Sequence, residues 1–444
     1  MTDKIIYPAE PPKQILKERL RDRPSEEELG LWFTHDPAIY QDDVTGMYYI
    51  YGTGAMCQKS KDLVHWERVG KIVENPPKEA IDWVGGSDIW APDIVKVGDE
   101  YRLYCSNSTF GVQQSDIFLA VADSPEGPFV PRGIVLKSSD QLPVNAIDAN
   151  IITDRETGEM YMVYGSFWGG IHALKLDKET GLAAEEGIGV CLARRPAWLS
   201  TAIEGPYVVY NEDTGYYYLF VSYGSLKSDY QVRVGRSKHV LGPYVDYHGR
   251  EMTDVDDADN TIGHLAFCGY QWNDGIPYMA PGHNSVLRDK DGSWYLLCHI
   301  REKNFTGTPE PSTMQVRKMF WTESGWPVLS PERYAGEVSQ PIPYELLQGR
   351  YERINLVSSL PQGIQTAVSM KLEFENHYYE CCSIQGTWSY EDGTVEIQYG
   401  PHHKDRGIVT AVWDWEKNQP TIAITGMGED GVPFWAKRVG EHNA

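Results

Sequence analysis

One pattern recurs along the chain, and it limits the possible folds more than any other feature. The stretches "HDPAIYQDDVTGMYYIYGTG" (35–54), "APDIVKVGDEYRLYCSNS" (91–108), "DANIITDRETGEMYMVYGSF" (148–167), "EGPYVVYNEDTGYYYLFVSYGS" (204–225) and "GHNSVLRDKDGSWYLLCHIR" (282–301) share one layout. Each has a polar residue at or near its start, runs through a short strand, turns on Asp, Asn or Gly, and returns as an apolar-aromatic strand. Asp36, Asp93, Asp148, Glu204 and His283 lead the five units, at spacings of 57, 55, 56 and 79 residues. A further strand-like segment follows the first four hairpins, at 58–70, 121–133, 171–181 and 234–249. Units of four strands repeating at this period are the mark of propeller blades.

The fold expected is therefore all-β: a five-bladed β-propeller over residues 31–340, behind an N-terminal extension of residues 1–30. Aromatic residues make up 12% of the chain, with 42 Gly and 27 Pro to punctuate it, which suits many short strands and turns. The fifth unit closes near "MQVRKMFWTESGWPVLSPERYAGE" (314–337), and the Pro-rich "QPIPYELLQG" (340–349) reads as a linker. Alternation resumes in "GTVEIQYG" and "GIVTAVWDWEK", so residues 350–444 are expected to form a small β-barrel or sandwich.

Propeller geometry gives the repeat a chemical meaning. The inner strands converge on a central channel, so the residues that open them meet at one end of it. Three acids gathered there, Asp36, Asp148 and Glu204, cannot all ionise as isolated carboxyls do, because like charges at close range drive their pKa values apart. Separated pKa values allow one carboxyl to act as an acid and another as a base, as glycoside hydrolysis requires.

Charge excludes other functions. The 40 Lys and Arg against 63 Asp and Glu leave a net charge of −23, which disfavours nucleic acid and anionic membrane as partners. Seven scattered cysteines, Cys57, Cys105, Cys191, Cys268, Cys298, Cys381 and Cys382, lack zinc spacing and read as free thiols. The adjacent Cys381 and Cys382 are expected on opposite faces of a strand. The charged N-terminal stretch has no signal-peptide core, which suggests a cytoplasmic protein, or a secreted one if a leader has been removed.

Read together and in order, "HDPAI", "WAPD", "IDAN", "GSFWGGI", "AIEGPY" and "RKMFWTESGWPVLSPERY" resemble glycoside hydrolase family 43, and within it the endo-α-1,5-L-arabinanases that carry a C-terminal β-domain. The resemblance spans roughly residues 30–444 and implies an inverting hydrolase of arabinan or arabino-oligosaccharides. It assigns Asp36 as general base, Glu204 as general acid, and Asp148 as the residue that raises and orients that acid. It implies substrate contacts at Trp90, Phe110, Ser166 and Phe167 and a calcium ion held by His283, while His35 and Asn150, flanking the acids, are expected to hold a furanose hydroxyl. Asp93 of "WAPD" is expected to hold backbone instead. An exo-acting arabinofuranosidase or β-xylosidase shares these acids, and a carbohydrate-binding propeller without activity shares the fold.

Overall fold

A computed structural model describes residues 5–12, 33–303, 312–359 and 363–440, so most of the N-terminal extension lies outside the described residues. Five sheets, antiparallel but for one added strand in the fifth, surround a channel. Blade 1 comprises Ala38–Gln41, Tyr48–Gly52, Met56–Ser60 and Trp66–Lys71; blade 2 comprises Ile89–Val97, Glu100–Asn107, Ser115–Ala122 and Val130–Ser138. Blade 3 holds Asn150–Thr153, Met160–Tyr164, Ile171–Leu176 and Val190–Ala193, and blade 4 holds Ile203–Asn211, Tyr216–Tyr223, Gln231–Ser237 and His264–Phe267. Blade 5 runs through Tyr278–Arg288, Trp294–Glu302, Thr313–Trp321 and Pro327–Leu329, with Gly269–Gln271 and Ile364–Thr366 added beside its inner strand. The inner strands touch in sequence around the ring, the fifth returning to the first.

Local chemistry explains the hairpins. Asx side chains fold back onto the turns that join inner to second strands: Asp42 Oδ2 accepts the Thr45 amide at 2.8 Å, Asp154 Oδ1 that of Glu156 at 3.1 Å, and Asn211 Oδ1 that of Asp213 at 2.9 Å. Second strands are apolar on both faces because a blade is sandwiched between two others; Tyr217, Leu219 and Val221 face one neighbour while Tyr218 and Phe220 face the next. One expected element moves. The outer strand of blade 4 is His264–Phe267, whereas Val245, inside the expected segment, makes isolated bridges to Arg236 and Glu251. The intervening Asp246 and Asp257 are spent accepting backbone amides of that excursion.

A belt of side chains joins the inner strands. Asp93 Oδ2 accepts the Ile151 amide of the next blade at 2.7 Å, Asn150 Oδ1 accepts that of Val208 at 2.8 Å, and Ser285 Oγ accepts that of Ile39 at 3.1 Å. These acceptors occupy the same position in blades 2, 3 and 5, and the last bond helps close the ring. Asp93 thus has the backbone-holding role expected of it. Deep burial, with no cation beside it, pushes its carboxyl up to about 7.

The second domain is a closed eight-stranded barrel, Gly349–Asn355 pairing with both Val368–Leu372 and Pro433–Val439 to shut it. The stretch expected as a linker belongs to this domain's core: Ile342 and Leu347 are buried in it, and Ile5 and Tyr7 lie against it. Propeller and barrel share one apolar core, in which Trp435 and Ile354 meet Phe267, Tyr270 and Trp272. At its edge the barrel's Lys437 Nζ contacts Glu332 at 2.7 Å, Asp414 at 3.0 Å and Glu416 at 2.6 Å. The seven cysteines are free; Cys381 ends a strand buried, and Cys382 sits exposed in the following turn at φ 50°.

Candidate active site

Every inner strand carries the same irregularity at its channel end. Asp36, Ala91, Asp148, Gly205 and His283 have positive φ of 53°, 33°, 63°, 55° and 45°. In blades 2, 4 and 5 the ladder slips there, between Trp90 and Asp93, Glu204 and Tyr207, and Gly282 and Ser285. Such bulges re-aim side chains, and the strain, about 1–3 kcal/mol at each non-glycine position, is tolerated where the surrounding fold enforces it. The bulge also corrects the alignment of the repeats. Asp36, Asp148 and His283 are equivalent, but Glu204 stands one residue earlier, level with His35, and Asp93 two residues later, in the belt. Gly205 takes the bulge position in blade 4, where an added Cβ would come within 3.1–3.2 Å of the His283 ring and Cα.

Asp36 is enclosed by donors. Its Oδ2 accepts the Thr53 hydroxyl at 2.6 Å, and around Oδ1 stand Nδ1 of His35 at 2.9 Å, His283 at 3.1 Å and His299 at 3.4 Å. Burial raises the Asp36 carboxyl, but His283, His35 and the His299 hydrogen bond overcome this and hold it well below the usual carboxylate range. Burial and the neighbouring His35 push His299 well below the ordinary imidazole range. The Asp36 amide also lies 3.3 Å from His299 Nδ1.

The other two acids come from blades 3 and 4. Asp148 Oδ2 accepts the Gly205 amide at 3.2 Å, while its own amide bonds to Ser106 Oγ at 2.9 Å. Burial, then the charges of Glu204 and Asp36, raise the Asp148 carboxyl well above its ordinary value. Contacts link the three acids: Gly205, next to Glu204, donates to Asp148 and packs against His283, which touches Asp36. Glu204 receives a hydrogen bond on each oxygen, from Ser166 Oγ at 2.7 Å and from the Tyr230 hydroxyl at 2.8 Å.

The expected substrate contacts divide. His35, with a third of its side chain exposed, lies against the base, and Ser166 lies on the acid. Trp90 is half-buried and pairs across the ladder with Ser106. Phe167, at φ 53°, ties its loop to the Glu204 strand through its amide and the Ile203 carbonyl, 2.7 Å apart. Phe110 is 69% exposed, with Lys227 Nζ over its ring at 5.2 Å. Asn150 is the exception. It is 2% exposed and both ends of its amide are used between blades, Nδ2 on Asp93 at 3.2 Å and Oδ1 on Val208, so it holds the ring and not a sugar.

Sequence reasoning missed Thr53, Tyr230 and His299. A histidine inside the apolar run "LLCHIR" was a usable signal for His299; nothing local marks Tyr230.

His283 does not stand alone. His35, Asp36 and His299 could offer ligand atoms to one metal ion, and His283 Nδ1 touches the same Asp36 oxygen. One carboxylate and three imidazoles make a poor set for calcium, which takes six to eight oxygens. His35 and His283 both set Nδ1 against the same Asp36 oxygen, and no step below is routed through an ion.

Residues 31–327 match glycosyl hydrolases family 43, and residues 331–436 match a C-terminal lipocalin-like domain named for the same family. The extracellular endo-α-(1→5)-L-arabinanase of Thermotoga petrophila is 32% identical, over 92% of this chain and 94% of that protein. The extracellular endo-α-(1→5)-L-arabinanase 2 of Bacillus subtilis is 31% identical, over 91% and 92%. The crystal structure of the Thermotoga petrophila endo-1,5-α-L-arabinanase bound to TRIS superposes with a TM-score of 0.82, at 30% identity, over 92% of this chain and 99% of that one. Both full-length relatives are named extracellular, which overturns the expectation of a cytoplasmic protein drawn from the N-terminal composition. On the family match, the identity over nearly the whole length and the shared two-domain fold, the chain belongs to glycosyl hydrolases family 43.

Proposed function

We propose that this protein hydrolyses internal α-1,5-linked L-arabinofuranosyl bonds of arabinan with inversion at the anomeric carbon. The observation that carries the reading is the opposed behaviour of acids sharing one channel: Asp36 is held ionised by histidines while burial, then Glu204 and Asp36, push Asp148 up. Asp36 takes a proton from water as that water attacks the anomeric carbon. Glu204 gives its proton to the departing glycosidic oxygen, and the Ser166 hydroxyl can rotate between donor and acceptor as the carboxyl changes state. Asp148, anchored by the Gly205 amide beside the acid, keeps a proton in the site at a pH where free carboxyls have lost theirs. Similarity to endo-acting relatives along both domains supports internal cleavage over release of terminal sugars.

Linear 1,5-arabinan tests the reading. Oligosaccharides should appear before arabinose, NMR should show the inverted anomer first, and Glu204→Gln should cut kcat by about 10²–10⁴, the share general acid–base catalysis supplies. Arabinose as the sole early product would refute internal cleavage, and full activity in Glu204→Gln would refute the acid's assignment.

A further inference from the structure

Tyr230 belongs to no motif and opens no inner strand, yet it links the two halves of the site. Its hydroxyl donates to Glu204 Oε1 at 2.8 Å, and its ring stacks on His299 at 5.8 Å and 11°, the histidine that lies against Asp36. Burial and the nearby Glu204 raise its phenol well above the ordinary value, so it remains a donor. The fold makes room for this ring. A Cβ at Gly282 would stand 2.2 Å from two Tyr230 ring atoms, so glycine is required at the position that holds Glu204 in blade 4.

The ring is backed from outside the propeller. Ile364 shares a small buried cluster with Tyr230, Met279 and Ala280, and it belongs to a strand, Ile364–Thr366, lying between two barrel strands in the chain. That strand pairs in parallel with Gly269–Gln271 and so extends blade 5. Just before it, Gly363 fits against the backbone of Ser228 and Asp229, with 2.5 Å from an added Cβ to the Ser228 carbonyl. The contact therefore reaches the residues that lead directly into Tyr230.

We infer that Tyr230 is a positioning residue for the general acid and that the second domain takes part in catalysis by buttressing it through Ile364. The inference rests on the proposed function and adds to it a role for the barrel: without the Ile364 strand, Tyr230 loses its backing and Glu204 loses one of its two fixed hydrogen bonds.

Leaving-group dependence separates this from a merely structural role. An acid matters most when the departing oxygen is an alkoxide and little when it is a nitrophenolate. In the full-length protein, Tyr230→Phe should lower kcat on arabinotriose by about ten- to a hundred-fold, part of what general acid catalysis contributes. On a 4-nitrophenyl arabino-oligosaccharide the loss should stay within about threefold, on the same ground. Ile364→Ala should give the same contrast at smaller size, with Ile364→Val as the milder change should folding suffer. Equal losses on both substrates would overturn the role of Tyr230, and Ile364 variants with unaltered kcat on arabinotriose would overturn the barrel's part. Wild-type turnover of arabinotriose tests the reading of the site separately from either ratio.

Discussion

Asp148 shows how a single residue can serve the reaction at the expense of stability. Its carboxyl is raised by burial and by two neighbouring acids, whereas in the unfolded chain it titrates near pH 4, about the value for a free Asp. Above that pH the folded protein binds a proton that the unfolded chain has released, so the contribution of this group to stability falls as pH rises. Asp148→Asn keeps an acceptor for the Gly205 amide and removes the conflict. Thermal melts should show a higher Tm than wild type at pH 7 and a smaller difference at pH 4, while kcat on arabinan falls at least tenfold. An equal or lower Tm at pH 7 would mean that the charge conflict is not felt by the fold.

Elements decide which residues share a task. The belt between inner strands assigns Asn150 to the ring, although its place in "IDAN" beside Asp148 suggested a sugar contact. Asn150→Ala removes one donor and one acceptor from a buried site and should cost about 1–3 kcal/mol for the amide left unpaired, read as a loss of stability in denaturant, with KM for arabino-oligosaccharides within about twofold of wild type. A large rise in KM at unchanged stability would return Asn150 to the substrate. The bulges show why sequence misaligned the repeats: chain position counts every residue, while the register slips shift the strands past one another at the site. Glu204 and His35 are therefore level with each other, and Asp36 with Asp148 and His283.

Across the whole molecule, the two domains are bound by apolar surface and by buried cations, among them Arg317 over the Trp435 ring at 4.9 Å and Lys437. Lys437 compensates Glu332, Asp414 and Glu416, all at 10% side-chain exposure or less. Even so, burial and neighbouring acids push Glu332 up to about 8. Removing one member of a buried ion group costs about 3–5 kcal/mol, because the remaining charges stay desolvated. Lys437→Ala should thus loosen the barrel from the propeller, seen as a separate calorimetric transition at pH 8 or as faster proteolysis near residues 340–349. Because Ile364 would move with the barrel, arabinan hydrolysis should decline in parallel. A single unshifted transition would show that the apolar interface holds the domains without the lysine.

The repeats alone announced an all-β chain of five blades with a second β-domain, because such units are written locally, whereas the roles of the three carboxyls came from the resemblance of their motifs. A strand–turn–strand unit with Asx and Gly at its corner declares a hairpin wherever it lies, and five in tandem have few ways to bury both faces except by closing into a ring. Tertiary structure alone decided the outer strand of blade 4, the use of Asn150 between blades, the histidine enclosure of Asp36 and the placing of Tyr230 and Ile364 behind the acid. The physical reason is distance along the chain. Tyr230 and Ile364 are 134 residues apart, and no local propensity encodes that contact. Only closure of the ring and docking of the barrel bring such groups within bonding range, and a shift of one residue at a bulge decides which side chain turns toward the channel.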